Sequence, residues 1–327
     1  MSQKIAAPQA GVKLVSYSSE GTPPTTEDGS TAAMTTPSQP PADAPAKDAP
    51  VETVIRPPTG WQLINFAELW RFRDLLYFLA WRDVKVRYKQ TLLGVAWAVL
   101  QPALMMIIFT LIFSVLTDTY QRSDVPYPLF VFTALLPWSF FATAIASAGN
   151  SVVGSERLIT KIYFPRLAVP FATVGAAIVD FCVAMPLLFV MFAYYGIMPG
   201  WGALLLPVIF ALLVLSAAGV GTLLAALNVA YRDFRYIIPF LVQLWMYATP
   251  TIYFDVTPRY DGSTYDWIKQ LLPLNPLTGL IASFRAALLG HDIPWGMLGF
   301  SAVMAGVFFF VGCFYYRRVE DSFADVI

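Results

Sequence analysis

The sequence is poor in everything that ordinary enzymatic chemistry draws on. It has one histidine, His291, and two cysteines, Cys182 and Cys313, among 327 residues. Both cysteines fall inside apolar runs and read as buried packing residues. Disulfide frameworks and zinc sites built on Cys/His spacing are thereby excluded. Charge is scarce as well: 13% of residues are Asp, Glu, Lys or Arg, against roughly 25% in soluble domains. Acidic and basic residues balance to a formal net charge of zero, so there is no global basic field for nucleic acid. No G-x-x-x-x-G-K-[ST] phosphate loop occurs, so the chain carries no standard cradle for ATP phosphates.

What is present is apolar. Hydrophobic residues make up 57% and aromatics 15%, with mean hydropathy +0.60. So little charge cannot solvate a globular surface of this size, and lipid must be the solvent for much of the chain. The expected fold is an all-α integral membrane protein. Residues 1–60 differ: Met1 to Val51 is rich in Pro, Ala, Ser and Thr. Such a segment cannot bury enough apolar surface to offset its ordering entropy, and it is expected to be a disordered cytoplasmic tail. It lacks the pattern of a signal peptide, so insertion is expected to rely on the first transmembrane helix.

Residues 61–327 hold six runs near the ~20 apolar residues a spanning helix needs: about 92–116, 129–148, 167–194, 204–227, 237–253 and 295–316. Pro102, Pro137, Pro186 and Pro250 lie within them and are expected to kink without breaking. Basic residues concentrate on alternate flanks: Arg82, Lys85, Arg87 and Lys89 before the first run, Arg157, Lys161 and Arg166 after the second, Arg232 and Arg235 after the fourth, and Arg317 and Arg318 after the last. The positive-inside rule then places both termini in the cytoplasm. Ahead of the first span, Leu69, Phe72, Leu76 and Leu79 recur at helical spacing, which predicts an amphipathic helix over about 65–89 in the cytoplasmic interface. A solvated extension of the first span is the simpler alternative. The outer segment between the fifth and sixth spans, with Pro273-Leu274-Asn275-Pro276 and a run too short to cross, predicts a pair of short re-entrant or interfacial helices.

Asp180 is the one carboxylate near the middle of a span. It costs at least ~2.5–3.5 kcal/mol on insertion scales and must face the bundle and find a partner there. Gln101 and Gln243 are candidates for that partner. Asp180 reads either as a packing hydrogen bond between helices or as part of a polar path or gate. Phe109, Phe113, Trp245, Tyr247 and Tyr253 are candidate path residues, because aromatic rings combine an apolar face with, in Tyr and Trp, a polar handle. Trp201 and Trp295, at span ends, read as interfacial belts.

Three stretches, taken together, resemble a known family: Trp81-Arg82-Asp83-Val84-Lys85-Val86-Arg87-Tyr88-Lys89 running on to Leu100-Gln101-Pro102; Leu158-Ile159-Thr160-Lys161-Ile162-Tyr163-Phe164-Pro165-Arg166; and Asn228-Val229-Ala230-Tyr231-Arg232-Asp233-Phe234 with Pro273-Leu274-Asn275-Pro276. The ending Phe323-Ala324-Asp325-Val326-Ile327 is similar too. They are similar to the permease subunit of ABC-2-type polysaccharide and polyol-phosphate exporters, which move O-antigen, capsule or teichoic acid polymers. The resemblance covers roughly Asn65 to the C-terminus. It implies a homodimer in the bacterial inner membrane, with no ATPase site of its own. Two copies of a separate ATPase would bind ATP and Mg, and the cargo would be a lipid-linked polysaccharide, O-antigen first and capsule or teichoic acid next. Glu156, Arg157, Leu158 and Lys161 would form the coupling contact to the ATPase, with Arg232, Asp233 and Arg235 as a smaller second one. Arg82, Lys85, Arg87 and Lys89 would attract the pyrophosphate of the lipid carrier. Two rivals remain from other classes. One is a polytopic lipid-linked sugar transferase, which would need clustered acids or metal ligands, whereas Asp255, Asp261, Asp266, His291 and Asp292 are scattered beside Gly and Pro as in a solvated loop. The other is a proton-coupled transporter using Asp180.

Overall fold

A computed structural model describes residues 70–89, 91, 93–116, 125–159, 161, 164–249, 252, 274–320 and 323. The tail at 1–60, Leu69, Tyr253, and the outer residues 254–273 with Asp255, Asp261 and Asp266 lie outside the described residues. The described residues contain helices and no strands. The helices are α1 (Arg73–Lys89), α2 (Ala96–Leu116), α3 (Tyr127–Gly154), α4 (Glu156–Ile159), α5 (Ala168–Tyr195), α6 (Leu206–Ala230), α7 (Phe234–Tyr247), α8 (Pro276–Leu289) and α9 (Trp295–Val319). A 3₁₀ turn, Trp201–Leu205, leads into α6.

Five helices among the described residues are long and apolar enough to cross a membrane: α2, α3, α5, α6 with its leading turn, and α9. Pro102, Pro137 and Pro186 sit inside α2, α3 and α5 without ending them. Pro250 lies outside the described residues. α7 has 14 residues, about 21 Å of helix against a hydrocarbon core of ~30 Å. The fifth span expected at 237–253 appears as this shorter helix, which starts at Phe234 and ends at Tyr247 with Ala248 as its C-cap. α5 stops at Gly196, whose φ of 67° is left-handed, and the Ile197 N–H then bonds the Phe192 carbonyl at 3.1 Å. Glycine takes that conformation without a Cβ penalty.

One end of the bundle is defined by a second, smaller core. Val152 at the end of α3, Ile159 in α4, Leu167 before α5, Val229 at the end of α6, Tyr316 near the end of α9, and Phe323 are buried together. The Tyr316 hydroxyl donates to the Arg166 carbonyl at 3.0 Å, and the Arg166 guanidinium donates to the Glu320 carbonyl. The connections carrying Arg157, Lys161, Arg166, Arg232, Arg317 and Arg318 therefore emerge at one end, the basic end. At the opposite end the Gly200 N–H bonds the Leu288 carbonyl at 3.3 Å, and Trp201 and Trp295 stand exposed.

α3 is the most buried span and packs against α2, α5, α6, α7 and α8. α8 starts at Asn275, which caps the Leu277 N–H at 3.1 Å and also reaches Thr249 at 2.8 Å. It ends at Gly290, beside Gly200. α8 is thus a short, buried helix confined to the half of the bundle away from the basic end. A companion helix would fall in 254–273, outside the described residues. α1 buries Leu79, and Leu75 and Leu76 pack on the basic-end core. Ala80 lies across from Gly175, and Arg87 meets Asp180. α1 therefore climbs alongside the first half of α5, more steeply than a helix lying in the interface plane. Its outer side carries exposed Tyr77, Phe78, Trp81 and Val86, so both faces bear apolar groups.

Candidate functional site

The sequence poses the question of what partners Asp180. The answer comes from α1. The Arg87 guanidinium forms an ion pair with Asp180, and the Tyr88 hydroxyl donates to the same carboxylate. Arg87 also reaches the Ser147 hydroxyl of α3 at 3.3 Å. A carboxylate at mid-span demands a cation or several donors, and the last turns of α1 supply both. Gln101 lines the same cavity but makes no hydrogen bond to Asp180 among the described residues, and Gln243 is exposed on α7.

The four basic residues grouped by the sequence thus separate. Arg87 points into the bundle. Arg82 pairs with its neighbour Asp83 at 2.8 Å, the Lys85 ammonium lies 5.5 Å from the centre of the Trp81 ring, and Lys89 is exposed. A signal for the inward turn of Arg87 was available. The apolar stripe Phe72, Leu76, Leu79 continues at helical spacing to Asp83 and Arg87.

Around the pair is a cavity of about 390 Å³ between α1, α2, α3 and α5. One wall is Arg87, Tyr88 and Asp180. A second is Ser139, Thr143 and Ser147, each four residues apart and so on one face of α3. α2 contributes Trp97 and Gln101. The hydroxyl stripe was not singled out from the sequence, although its i, i+4, i+8 spacing is visible in an otherwise apolar span. Arg285 was also missed. It is a buried cation in apolar α8, with its guanidinium carbon 3.6 Å from the centre of the Phe130 ring.

A direct consequence concerns stability. Removing one partner of a buried pair costs about 3–5 kcal/mol. Because Arg87 keeps 30% of its side chain exposed, the expected loss for Arg87→Ala is nearer ~2 kcal/mol after solvent screening. The double variant Arg87→Gln with Asp180→Asn should recover most of it. Thermal unfolding of the purified protein in detergent measures both. Equal losses in the single and double variants would show that the pair is not the stabilising element.

The candidate path aromatics divide by environment. Phe109 and Phe113 stack at 6.2 Å on α2, and Phe113 meets Tyr127 at 6.0 Å. Trp245 is held inside the bundle: its indole N–H donates to Asn275 at 3.1 Å, and its ring meets Phe141 at 5.2 Å. Tyr247 is 57% exposed. Tyr253 lies outside the described residues.

At the basic end, α4 is a single turn with Ile159 buried in the core and Leu158 packed against it. Glu156, Arg157 and Lys161 point outward, and Arg232, Asp233 and Arg235 are exposed between α6 and α7. Both connections rise from one hydrophobic cluster, since Val229 and Ile159 share it. Among the described residues no group of three or more His, Cys, Asp or Glu side chains is placed to hold a metal ion.

Several bilayer-length apolar helices, a basic end with two exposed connections, and an ion pair held between helices define a multi-pass membrane protein. The comparisons make this specific. The family described as ABC-2 type transporter matches residues 74–289. The O-antigen export system permease protein RfbA of Myxococcus xanthus is 33% identical over 228 residues, covering 69% of this chain and 85% of the relative. RfbA of Klebsiella pneumoniae is 28% identical over 263 residues, 78% of this chain and 95% of its own. The polysialic acid transport protein KpsM of Escherichia coli is 23% identical over 252 residues, 74% and 92% respectively. The chain belongs to the ABC-2 transporter membrane family and is a permease of that family.

Proposed function

We propose that this chain is the passage-forming subunit of an ATP-driven exporter that moves a lipid-linked polysaccharide, of the O-antigen class, across the inner membrane. The observation that carries the reading is the likeness to two O-antigen export permeases along most of their length. The polysialic acid relative supports capsule export as the second reading, with teichoic acid as its chemical neighbour.

In this proposal residues 1–60 form a cytoplasmic tail and residues 61–327 the transmembrane domain. α7 counts as a sixth crossing beside α2, α3, α5, α6 and α9, and α8 is re-entrant. The basic end is cytoplasmic by the positive-inside rule, which puts both termini there. α1 follows α5 from that surface and sets its aromatic outer side against lipid. The ATPase is a separate polypeptide, present twice and binding ATP and Mg. It docks on Glu156, Arg157, Leu158 and Lys161, with Arg232, Asp233 and Arg235 as the lesser contact. Seating of Ile159 in the basic-end core lets a push on α4 reach α3, α5, α6 and α9 together.

One chain of this size does not enclose a polymer-wide pore, and a two-fold homodimer is the simplest closed solution. The exposed apolar sides of α2 (Leu104, Ile108, Leu111) and α7 (Tyr236, Phe240, Tyr247) are the surfaces proposed to face the partner copy and the path. Lys85 and Lys89, exposed on α1, remain the groups proposed to draw in the lipid pyrophosphate, with Arg82 beside them. Arg87 is occupied by Asp180.

Deleting the gene in its host should abolish the surface polysaccharide and leave lipid-linked polymer on the cytoplasmic side. Immunogold labelling of surface and interior reads both. Unchanged surface polymer would refute export, and the identity of the trapped polymer separates O-antigen from capsule.

A further inference from the structure

The cavity between α1, α2, α3 and α5 has a composition that the export reading leaves unused. Its charges cancel: Arg87 and Asp180 are paired to each other. An anion entering would meet the Asp180 carboxylate as well as the guanidinium, and a cation would meet the reverse. Neither is favoured. The remaining polar groups are hydroxyls and an amide. Ser139, Thr143 and Gln101 line the cavity, and their side chains make no hydrogen bond among the described residues. Hydroxyls and an amide turned to one cavity offer donors and acceptors without net charge, which suits a neutral ligand with several hydroxyl groups.

Size and access narrow this further. At about 390 Å³ the space is at the low end of ligand pockets, ~300–1,000 Å³, enough for a sugar unit and far too small for a polymer. The mouth is formed by Thr91, Trp97 and Gln101, all exposed, where α1 turns into α2. An indole at such a mouth offers an apolar face and a donor together. A lipid tail would leave the hydroxyl stripe unpaired, and is disfavoured for that reason.

We propose that this cavity is a carbohydrate subsite within each protomer, separate from the passage between protomers, which holds a neutral sugar unit of the cargo against Ser139, Thr143 and Gln101 beside the Arg87–Asp180 pair. The proposal rests on the glycan-cargo reading. In mechanism it gives the cargo a resting place at the depth of Asp180, bonded to α2 and α3 at once, so that movement of either helix changes its grip.

The test uses the full chain reconstituted in nanodiscs. One probe is a polyprenyl-pyrophosphate-linked disaccharide with a diazirine on the sugar next to the lipid. The other is the same disaccharide free of lipid. After irradiation, peptide mapping should find label within 139–147 of α3 and near Gln101. Labelling by the free disaccharide as well would show that the sugar itself is read, and labelling by the lipid-linked probe alone that the lipid delivers it. In Ser139→Ala with Thr143→Val, which keeps side-chain shape, the label should fall about tenfold or more, the scale of losing a hydrogen-bonding pair. Thr143→Val alone serves if the double variant does not give a monodisperse protein. Label confined to the exposed sides of α2 and α7, or cavity label undiminished in the variants, overturns the subsite and leaves the cargo reading standing. No label anywhere from either probe overturns both.

Discussion

Gly312→Val should remove the folded protein from the membrane. α6 and α9 cross with backbone against backbone. A Cβ on Gly312 would stand 2.8 Å from the Thr222 hydroxyl and 2.9 Å from the Gly219 carbonyl carbon, and a Cβ on Gly219 would stand 2.6 Å from the Phe308 carbonyl oxygen. Those neighbours are main chain or a side chain already bonded back to it. The Thr222 hydroxyl donates to the Ala218 carbonyl at 2.8 Å and lies 2.9 Å from that of Gly219. Nothing can swing aside. Apolar helices in lipid gain little from mere burial, so close approach of small residues is a main source of their association. Overpacking costs about 1–3 kcal/mol where side chains can adjust. With rigid backbone on both sides the loss should exceed ~4 kcal/mol, in the range that empties the folded state of a marginal protein. Gly306→Val on the same helix is the control, because a Cβ there meets nothing within 4 Å. Size-exclusion profiles of a fluorescent fusion should show aggregate for Gly312→Val and a normal peak for Gly306→Val.

Arg157→Glu combined with Lys161→Glu should leave that profile unchanged and reduce export by about tenfold or more. Both side chains point outward from α4 and take no part in the buried core. Reversing them has little to destabilise, whereas like-charge contacts at a docking surface cost several kcal/mol. Arg232→Glu with Arg235→Glu should reduce export less, as expected of the smaller contact. Surface polymer quantified in a complemented deletion strain measures the order. If the 232/235 pair were the more severe, the assignment of α4 as the principal contact would be reversed.

The spans were legible because lipid leaves a coarse signature. Runs expected at 167–194 and 204–227 appear as Ala168–Tyr195 and Leu206–Ala230. The second run ends at 154 and not at 148, because the small polar stretch after Ala148 reads as loop yet packs on α6. There the Asn228 side-chain amide donates to the Gly149 carbonyl at 2.8 Å. The first span starts at Ala96 rather than Leu92 because Gly94, at φ 51°, makes the turn out of α1. Apolar periodicity is blind to a positive-φ turn inside a hydrophobic stretch.

Pairings were not legible. Asp180 and Arg87 lie 93 positions apart, and a mid-span carboxylate announces its need for a partner without naming it. Depth favoured the glutamines, but charge favoured an arginine brought in by α1, and charge is the larger effect in a low-dielectric interior. The aromatics failed differently. α7 is two-faced, with Ile238, Val242 and Trp245 at helical spacing on its packed side and Arg235, Gln243 and Tyr247 exposed, a division that the overall hydropathy of the run does not show. The hydroxyl stripe on α3 was visible as spacing, but only the cavity gives it meaning.

The central claim is that the energy for transport comes from another polypeptide acting on the basic end. The purified chain, reconstituted alone in proteoliposomes, should show no ATP hydrolysis above empty vesicles. Adding the proposed partner ATPase should confer turnover that Arg157→Glu with Lys161→Glu suppresses. Substantial turnover by the chain alone, or stimulation indifferent to those two residues, would contradict the account.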